Sequence, residues 1–213
     1  IEGISGSGKT TILSYVKQNL TKQKREALYI LSQQYTQRLN DFSIKDENKK
    51  INNVISLMND LILPLEVIEN RYVNSIFKEH DRKKQIDLCW IFETFHLGNI
   101  IESNIDFSSL FNQVEQKLCK YGATMILLTI PESLIQERSI LTTRALRNSG
   151  WSSYLKNLSN DDTELTKIFK DRQDKLICFC KNSKIPYKII DTANPNWISM
   201  ANEISKFSFG EDV

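Results

Sequence analysis

Apolar residues at positions 12, 13, 16 and 20 (Ile12, Leu13, Val16, Leu20) recur at helical spacing and predict an amphipathic helix over residues 10–24, with a polar exit from Thr21 to Arg25. Short unbroken apolar runs predict strands at Ala27–Leu31, Leu88–Phe92, Thr124–Ile130 and Tyr187–Ile190. Helical spacing returns between them. A long stretch from about Lys50 to Lys84 bends near Pro64, and residues 106–120 turn Phe107, Leu110, Phe111, Val114 and Leu118 inward. Pro131 and Glu132 open a helix that continues toward Arg144, residues 161–182 form another, and Trp197–Phe207 closes the chain. Strands alternating with crossover-length helices predict an α/β fold: a parallel, doubly wound sheet with helices on both faces. Ligands of such sheets bind at the C-terminal ends of the strands.

Composition narrows this picture. The 213 residues are 40% hydrophobic and contain no linker, repeat or low-complexity tract, so residues 1–213 read as one domain with a sizeable core. A net charge of +2, from 28 basic and 26 acidic residues, argues against a general binder of nucleic acid polymers or membrane surfaces. Any anion site must be local. Cys89, Cys119, Cys178 and Cys180 lack CxxC spacing, and the last two point in different directions on a helix, which disfavours metal ligation by thiolates. With no signal peptide and no apolar run near 18 residues, a cytoplasmic setting is expected.

Candidate chemistry begins at Gly3-Ile-Ser-Gly-Ser-Gly-Lys-Thr10, which fits G-x-x-x-x-G-K-[ST] without a mismatch. Glycines at 3, 6 and 8 let the backbone curl so that successive N–H groups face a phosphate. The expected donor cradle is Gly3, Ser5, Gly6, Ser7, Gly8, Lys9, Thr10 and Thr11, with Lys9 on the β/γ-phosphates and the Thr10 hydroxyl on Mg²⁺. Since only Ile1 and Glu2 precede Gly3, the numbering is expected to begin inside the first strand, with further apolar residues upstream.

Glu93 follows the strand Leu88–Phe92 on the sheet edge that carries the glycine loop. A carboxylate there can bind a Mg²⁺-bound water or accept a proton from an attacking hydroxyl; alternatively it is a strand-end Glu bonded to nearby backbone or an arginine. The chain has neither D-x-x-G nor [NT]-K-x-D, and no L-S-G-G-Q, and its strand ends in Glu93-Thr94 rather than Asp-Glu, so GTPase, transporter and motor ATPase readings lose ground. Arg138, Arg144 and Arg147 lie in a stretch with no acid, the composition of a lid that brings cations over a moving γ-phosphoryl; a solvated basic helix end has the same composition. The segment Gln33, Gln34, Tyr35 to Arg38 can bond or stack on a base or be ordinary loop.

Together these segments resemble the P-loop nucleoside and nucleotide kinases, in particular thymidylate kinase-like and deoxynucleoside kinase-like proteins. The resemblance runs through "GISGSGKTT" at 3–11, "IFETFHL" at 91–97, "PESLIQERSILTTRALR" at 131–147 and "IPYKIIDT" at 185–192. It implies a P-loop NTPase fold with an arginine-bearing lid at about 138–155, ATP and Mg²⁺ as cofactors, and a small-molecule phosphate acceptor, a nucleoside or nucleoside monophosphate. By the same resemblance Arg138, Arg144 and Arg147 are lid cations, Glu93 is the hydroxyl-activating carboxylate, Arg71 stands where an acceptor-phosphate arginine would, His96 lines the pocket, and Asp191 lies near the donor adenine. Thr94 occupies the position of the family's arginine. Kinase action on an antibiotic or metabolite, and a noncatalytic nucleotide-binding regulator, are the alternatives; a homodimer is compatible with either.

Overall fold

The computed structural model describes residues 1–25, 27–76, 88–106, 111–147 and 149–210, with the side chains of Arg38 and Ser149 excepted. It is a mixed α/β chain with a small parallel sheet. In order the elements are β1 (Glu2–Gly3), α1 (Lys9–Lys22), β2 (Leu28–Leu31), α2 (Gln33–Arg38), α3 (Glu47–Val73), β3 (Cys89–Phe92), α4 (Leu97–Glu102) and α5 (Asn112–Lys120). There follow β4 (Met125–Thr129), α6 (Glu132–Ile135), a π-helical segment (Gln136–Leu141), α7 (Thr142–Leu146), α8 (Ser149–Leu158), α9 (Asp162–Asn182), β5 (Tyr187–Asp191) and α10 (Trp197–Phe209).

All strand pairs are parallel: β1 with β4, β4 with β5, and β2 with β3. Ile1 joins the two groups, its N donating to Phe92 O at 2.7 Å and its O accepting from Thr94 N at 2.9 Å. The strands therefore run in the order β2-β3-β1-β4-β5. Their C-terminal ends share one edge, where the glycine loop, Glu93 and Asp191 emerge.

Period-2 alternation in β4 divides the core between the two faces. Met125 and Leu127 belong to the larger cluster, with Met58 and Ile62 of α3 and Phe169 and Leu176 of α9. Ile126 and Leu128 belong to the other, with Ile12, Val16 and Leu20 of α1 and Ile204 of α10. Helices thus cover both faces, as the pattern predicts. On α9, Cys180 is buried and Cys178 exposed, the divergence expected from their spacing.

Several boundaries differ from the sequence expectation. The long helix begins at Glu47, because Asp46 caps it by accepting from Lys49 N at 2.8 Å, and it passes through Pro64 to Val73. Residues 77–87, the end of the expected stretch, lie outside the described residues, as do Phe107 and Leu110. The polar segment after β2 is the short helix α2 rather than a loop, and α4 and α8 were not expected. The helix after Pro131 is interrupted by the π-helical turns of Gln136–Leu141. Helix α3 is long and apolar enough to cross a membrane by length and composition, but one side of it (Val54, Leu57, Met58, Leu61, Ile62, Leu65) is buried in this core.

Candidate functional site

The loop between β1 and α1 is curled by residues that L side chains fit poorly. Gly6 and Gly8 have φ of +80° and +90°. A Cβ on Gly6 would stand 2.5 Å from the carbonyl oxygen of Arg138, and one on Gly8 would stand 2.4 Å from the Trp197 ring. Both positions thus need glycine for backbone and for space. Lys9 is 5% exposed and folds back into the loop, its Nζ donating to Gly3 O at 2.8 Å and Ile4 O at 3.0 Å. Burial lowers its pKa to about 8, against the opposing pull of the Glu93 and Glu2 charges. The hydroxyls of Ser5 and Ser7 are buried without a hydrogen-bond partner among the described residues, while Thr11 is exposed. Buried polar groups of this kind invite a ligand or ordered water.

Glu93, 4% exposed, stands beside this loop. Its Oε1 accepts from Thr10 Oγ1 at 2.9 Å and its Oε2 from Gln33 N at 3.2 Å, so one carboxylate links the start of α1 to the start of α2. The turn that presents it is held from both sides. Thr36 Oγ1 lies 3.0 Å from the carbonyl oxygens of Glu93 and Thr94. From β1, the buried Glu2 accepts from the backbone N–H groups of Phe95, His96, Leu97 and Gly98 at 2.7–3.2 Å. Thr94 itself is left-handed (φ +52°), buried, and has no partner for its hydroxyl among the described residues.

The three arginines expected as a lid set take three different positions. Arg138 donates to Thr192 O at 2.5 Å and to Ala193 O at 2.8 Å, tying the π-helical segment to the turn after β5. Its charge is spent on backbone carbonyls. Arg144 pairs with Asp162 at the start of α9, 2.7 Å away, and so belongs to helix packing. Arg147 stacks on Trp151, 4.4 Å from ring centroid to guanidinium carbon. Partial burial lowers its pKa and the Glu93 charge opposes that; Arg147 in turn depresses Lys9. Arg147 is thus electrostatically coupled to both Glu93 and Lys9. The segment is seated on the glycine loop through Ser139 Oγ, which donates to Ser5 O at 2.6 Å.

A cavity of about 700 Å³ opens beside the loop residues Gly3, Ile4 and Ser5. Gln33 and Gln34 line it as expected, together with Gln37, Asn40 and Phe42 of the same region. Tyr35 is exposed outside it, and the Arg38 side chain lies outside the described ones. Arg71 does not line it: it sits exposed in the last turn of α3, where an amphipathic helix shows its polar side. His96 is also elsewhere. It is buried with Nε2 3.7 Å from Glu115 Oε1, and burial lowers its pKa to about 4, so it is a neutral core histidine. Asp191 is exposed and accepts from Ala193 N at 2.9 Å, shaping the turn that receives Arg138.

Sequence reasoning missed the far wall of this cavity, where Glu102, Tyr154 and Arg172 meet. Arg172 Nη1 donates to Glu102 Oε1 at 3.0 Å and to the Tyr154 hydroxyl. Arg172 lies between the buried Phe169 and Leu176 on α9, and an arginine at that place in an apolar stripe was the available signal.

Thr10 Oγ1 and Glu93 Oε1 are hard oxygen donors side by side at the loop, which fits a Mg²⁺ that keeps several waters and phosphate oxygens in its shell. Among the described residues no group of three His, Cys, Asp or Glu could cage a metal. Compared with models of known protein families and with curated proteins, the chain matches none.

Proposed function

We propose that this chain is a P-loop kinase that transfers the γ-phosphoryl of ATP to a nucleoside or nucleoside monophosphate in the cytoplasm. The observation that carries this reading is the junction of Lys9, Thr10 and Glu93 beside the 700 Å³ cavity, with Arg147 coupled to it. Glycine-loop N–H groups and Lys9 receive the β- and γ-phosphates, Lys9 exchanging the Gly3 and Ile4 carbonyls for phosphate oxygens. Thr10 and Glu93 would hold Mg²⁺ directly or through water, which supplies charge neutralisation at the transferred group. Arg147 leaves the Trp151 face to cover the same charge and supplies the cation that Thr94 does not. Glu93 is bonded both to the donor helix at Thr10 and to the acceptor wall at Gln33, a position from which it orients or deprotonates the acceptor hydroxyl.

The test is ADP release with nucleosides, nucleoside monophosphates and unrelated hydroxyl metabolites as acceptors. Glu93→Gln is expected to slow transfer by about 10²–10⁴-fold while ATP affinity changes little. Unimpaired transfer, or equal loss of both properties, refutes the role of Glu93. Tight ATP binding with no turnover on any acceptor would leave a nucleotide-binding regulator instead.

A further inference from the structure

We infer that Arg172, Glu102 and Tyr154 form the acceptor-recognition end of the cavity, taking an uncharged ligand edge that presents a hydrogen-bond donor and acceptor side by side, such as the amide edge of a nucleobase. This rests on the kinase reading for which ligand enters, but the cluster itself stands on its own geometry. Arg172 Nη1 donates both to Glu102 at 3.0 Å and to the Tyr154 hydroxyl, which in turn donates to Glu102 at 3.2 Å. The Tyr154 hydroxyl also stands 3.5 Å from the second carboxylate oxygen, so what the cluster can still offer a ligand is the guanidinium N–H groups beyond Nη1 and the further lone pairs of the carboxylate.

Three helices hold these groups: Glu102 ends α4, Tyr154 lies on α8 and Arg172 on α9. A rigid donor next to a rigid acceptor is complementary to a ligand edge with the reverse order, and a ligand lacking that edge would cut these partly buried groups off from water without replacing its hydrogen bonds. Charge sets the ligand class. Among the described lining residues only Glu102 and Arg172 are charged, and they neutralise each other. A phosphate placed here would have to break the pair, whereas an uncharged amide or hydroxyl edge would not.

The neighbouring wall suits the same ligand. Phe42 and Trp151 offer flat apolar faces and Gln33, Gln34, Gln37 and Asn40 offer amides. Glu102 acts on Lys9 less than Glu93, Glu2 or Arg147 do, in keeping with a place at the end of the cavity away from the phosphates.

The experiment measures binding of ATP, the four deoxynucleosides and their 5′-monophosphates to the full chain and to E102Q, Y154F and R172M, by calorimetry. The wild type is expected to bind at least one nucleoside, and E102Q to weaken that binding about 10-fold with ATP affinity unchanged. Because E102Q uncovers the Arg172 charge, it should also raise the preference for monophosphate over nucleoside about 10-fold, a reversal that simple loss of packing would not produce. Y154F keeps both charges and should shift affinity less. If R172M fails to fold, E102Q and Y154F decide. A wild type that binds ATP but none of the nucleosides or monophosphates overturns the inference and leaves the donor site standing. Nucleoside binding sensitive to E102Q without any ATP binding overturns the kinase reading and leaves the cluster standing. Nucleoside binding indifferent to E102Q and Y154F overturns the cluster alone.

Discussion

Replacing Lys9 with Met should remove a gain in stability that the ligand-free protein makes as pH rises from 8 to 10.5, and the size of the effect follows from the burial of its ammonium. Lys9 is 5% exposed, and burial takes its pKa from 10.5 to about 8. The unfolded chain therefore binds more protons than the folded one between pH 8 and 10.5, so stability rises with pH across that window. Below about pH 8 the ammonium is charged in both states and folding carries the full desolvation cost, about 3 kcal/mol for a displacement of this size. The cost is removed as pH passes 10.5. Other groups titrate there too, so the readout is the difference between the urea-unfolding free energies of the wild type and K9M from pH 7 to 11. That difference should move in favour of the wild type by about 3 kcal/mol between pH 8 and 10.5. A flat difference curve would refute the reasoning, because it would mean that Lys9 ionises alike in both states. Under the kinase reading, ATP restores the charge: at pH 8 its binding should take up a fraction of a proton in the wild type and none in K9M, measured by calorimetry in buffers of different ionisation heat.

Three further outcomes follow from other parts of the same edge. Glu2→Gln keeps one oxygen to accept from Phe95, His96 and Leu97 but removes the charge and turns an amide NH₂ onto the Gly98 N–H, and should cost about 1–3 kcal/mol, seen as a lower urea midpoint with unchanged slope; a change below about 0.5 kcal/mol would sink the anchoring role. His96, held neutral with a pKa of about 4, makes the fold lose stability as pH falls from 6.5 to about 4, since the unfolded chain takes up the proton first. His96→Asn should flatten that part of the acid profile, and an unchanged profile would contradict it. Gly98→Ala brings a methyl to 2.2 Å from Thr94 Cγ2 and should destabilise by about 1–3 kcal/mol, with partial relief when Thr94→Ser removes that methyl; additive effects would refute the contact.

The sequence carried the local elements well where period and turn chemistry agree. The glycine loop, α1, β4 and α9 lie within a few residues of where apolar spacing placed them, because each buries a face that must repeat at 2 or 3.6 residues. The arginines were not legible in the same way. Arg138, Arg144 and Arg147 share one basic stretch, but the π-helical turns of Gln136–Leu141 break the α-helical phase and α7 ends at Leu146. Phase decides which residue meets which neighbour. Arg138 is thereby turned onto the Thr192 and Ala193 carbonyls, Arg144 onto Asp162, and Arg147, just beyond the helix, onto Trp151. Glu2 was hidden for another reason, since a strand of two residues shows no alternation from which its inward direction could be read.

Thr94 is where these threads meet. Its left-handed backbone lets the chain turn sharply after Glu93, and its methyl packs where Gly98 leaves room, so the residue fills a tight corner. An arginine at this buried position would need a carboxylate partner or a phosphate to offset the cost of burying its charge. Glu93 is already bonded to Thr10 and Gln33, and Glu2 to four backbone N–H groups. Arg147 meets the same electrostatic need from outside the corner, where it stays partly solvated on the Trp151 ring and can approach Glu93 and Lys9 without being buried. Under the kinase reading, a cation carried by the segment after α7 rather than by the strand end makes its arrival depend on motion of that segment. Transfer would then be gated by Arg147 rather than preset at position 94.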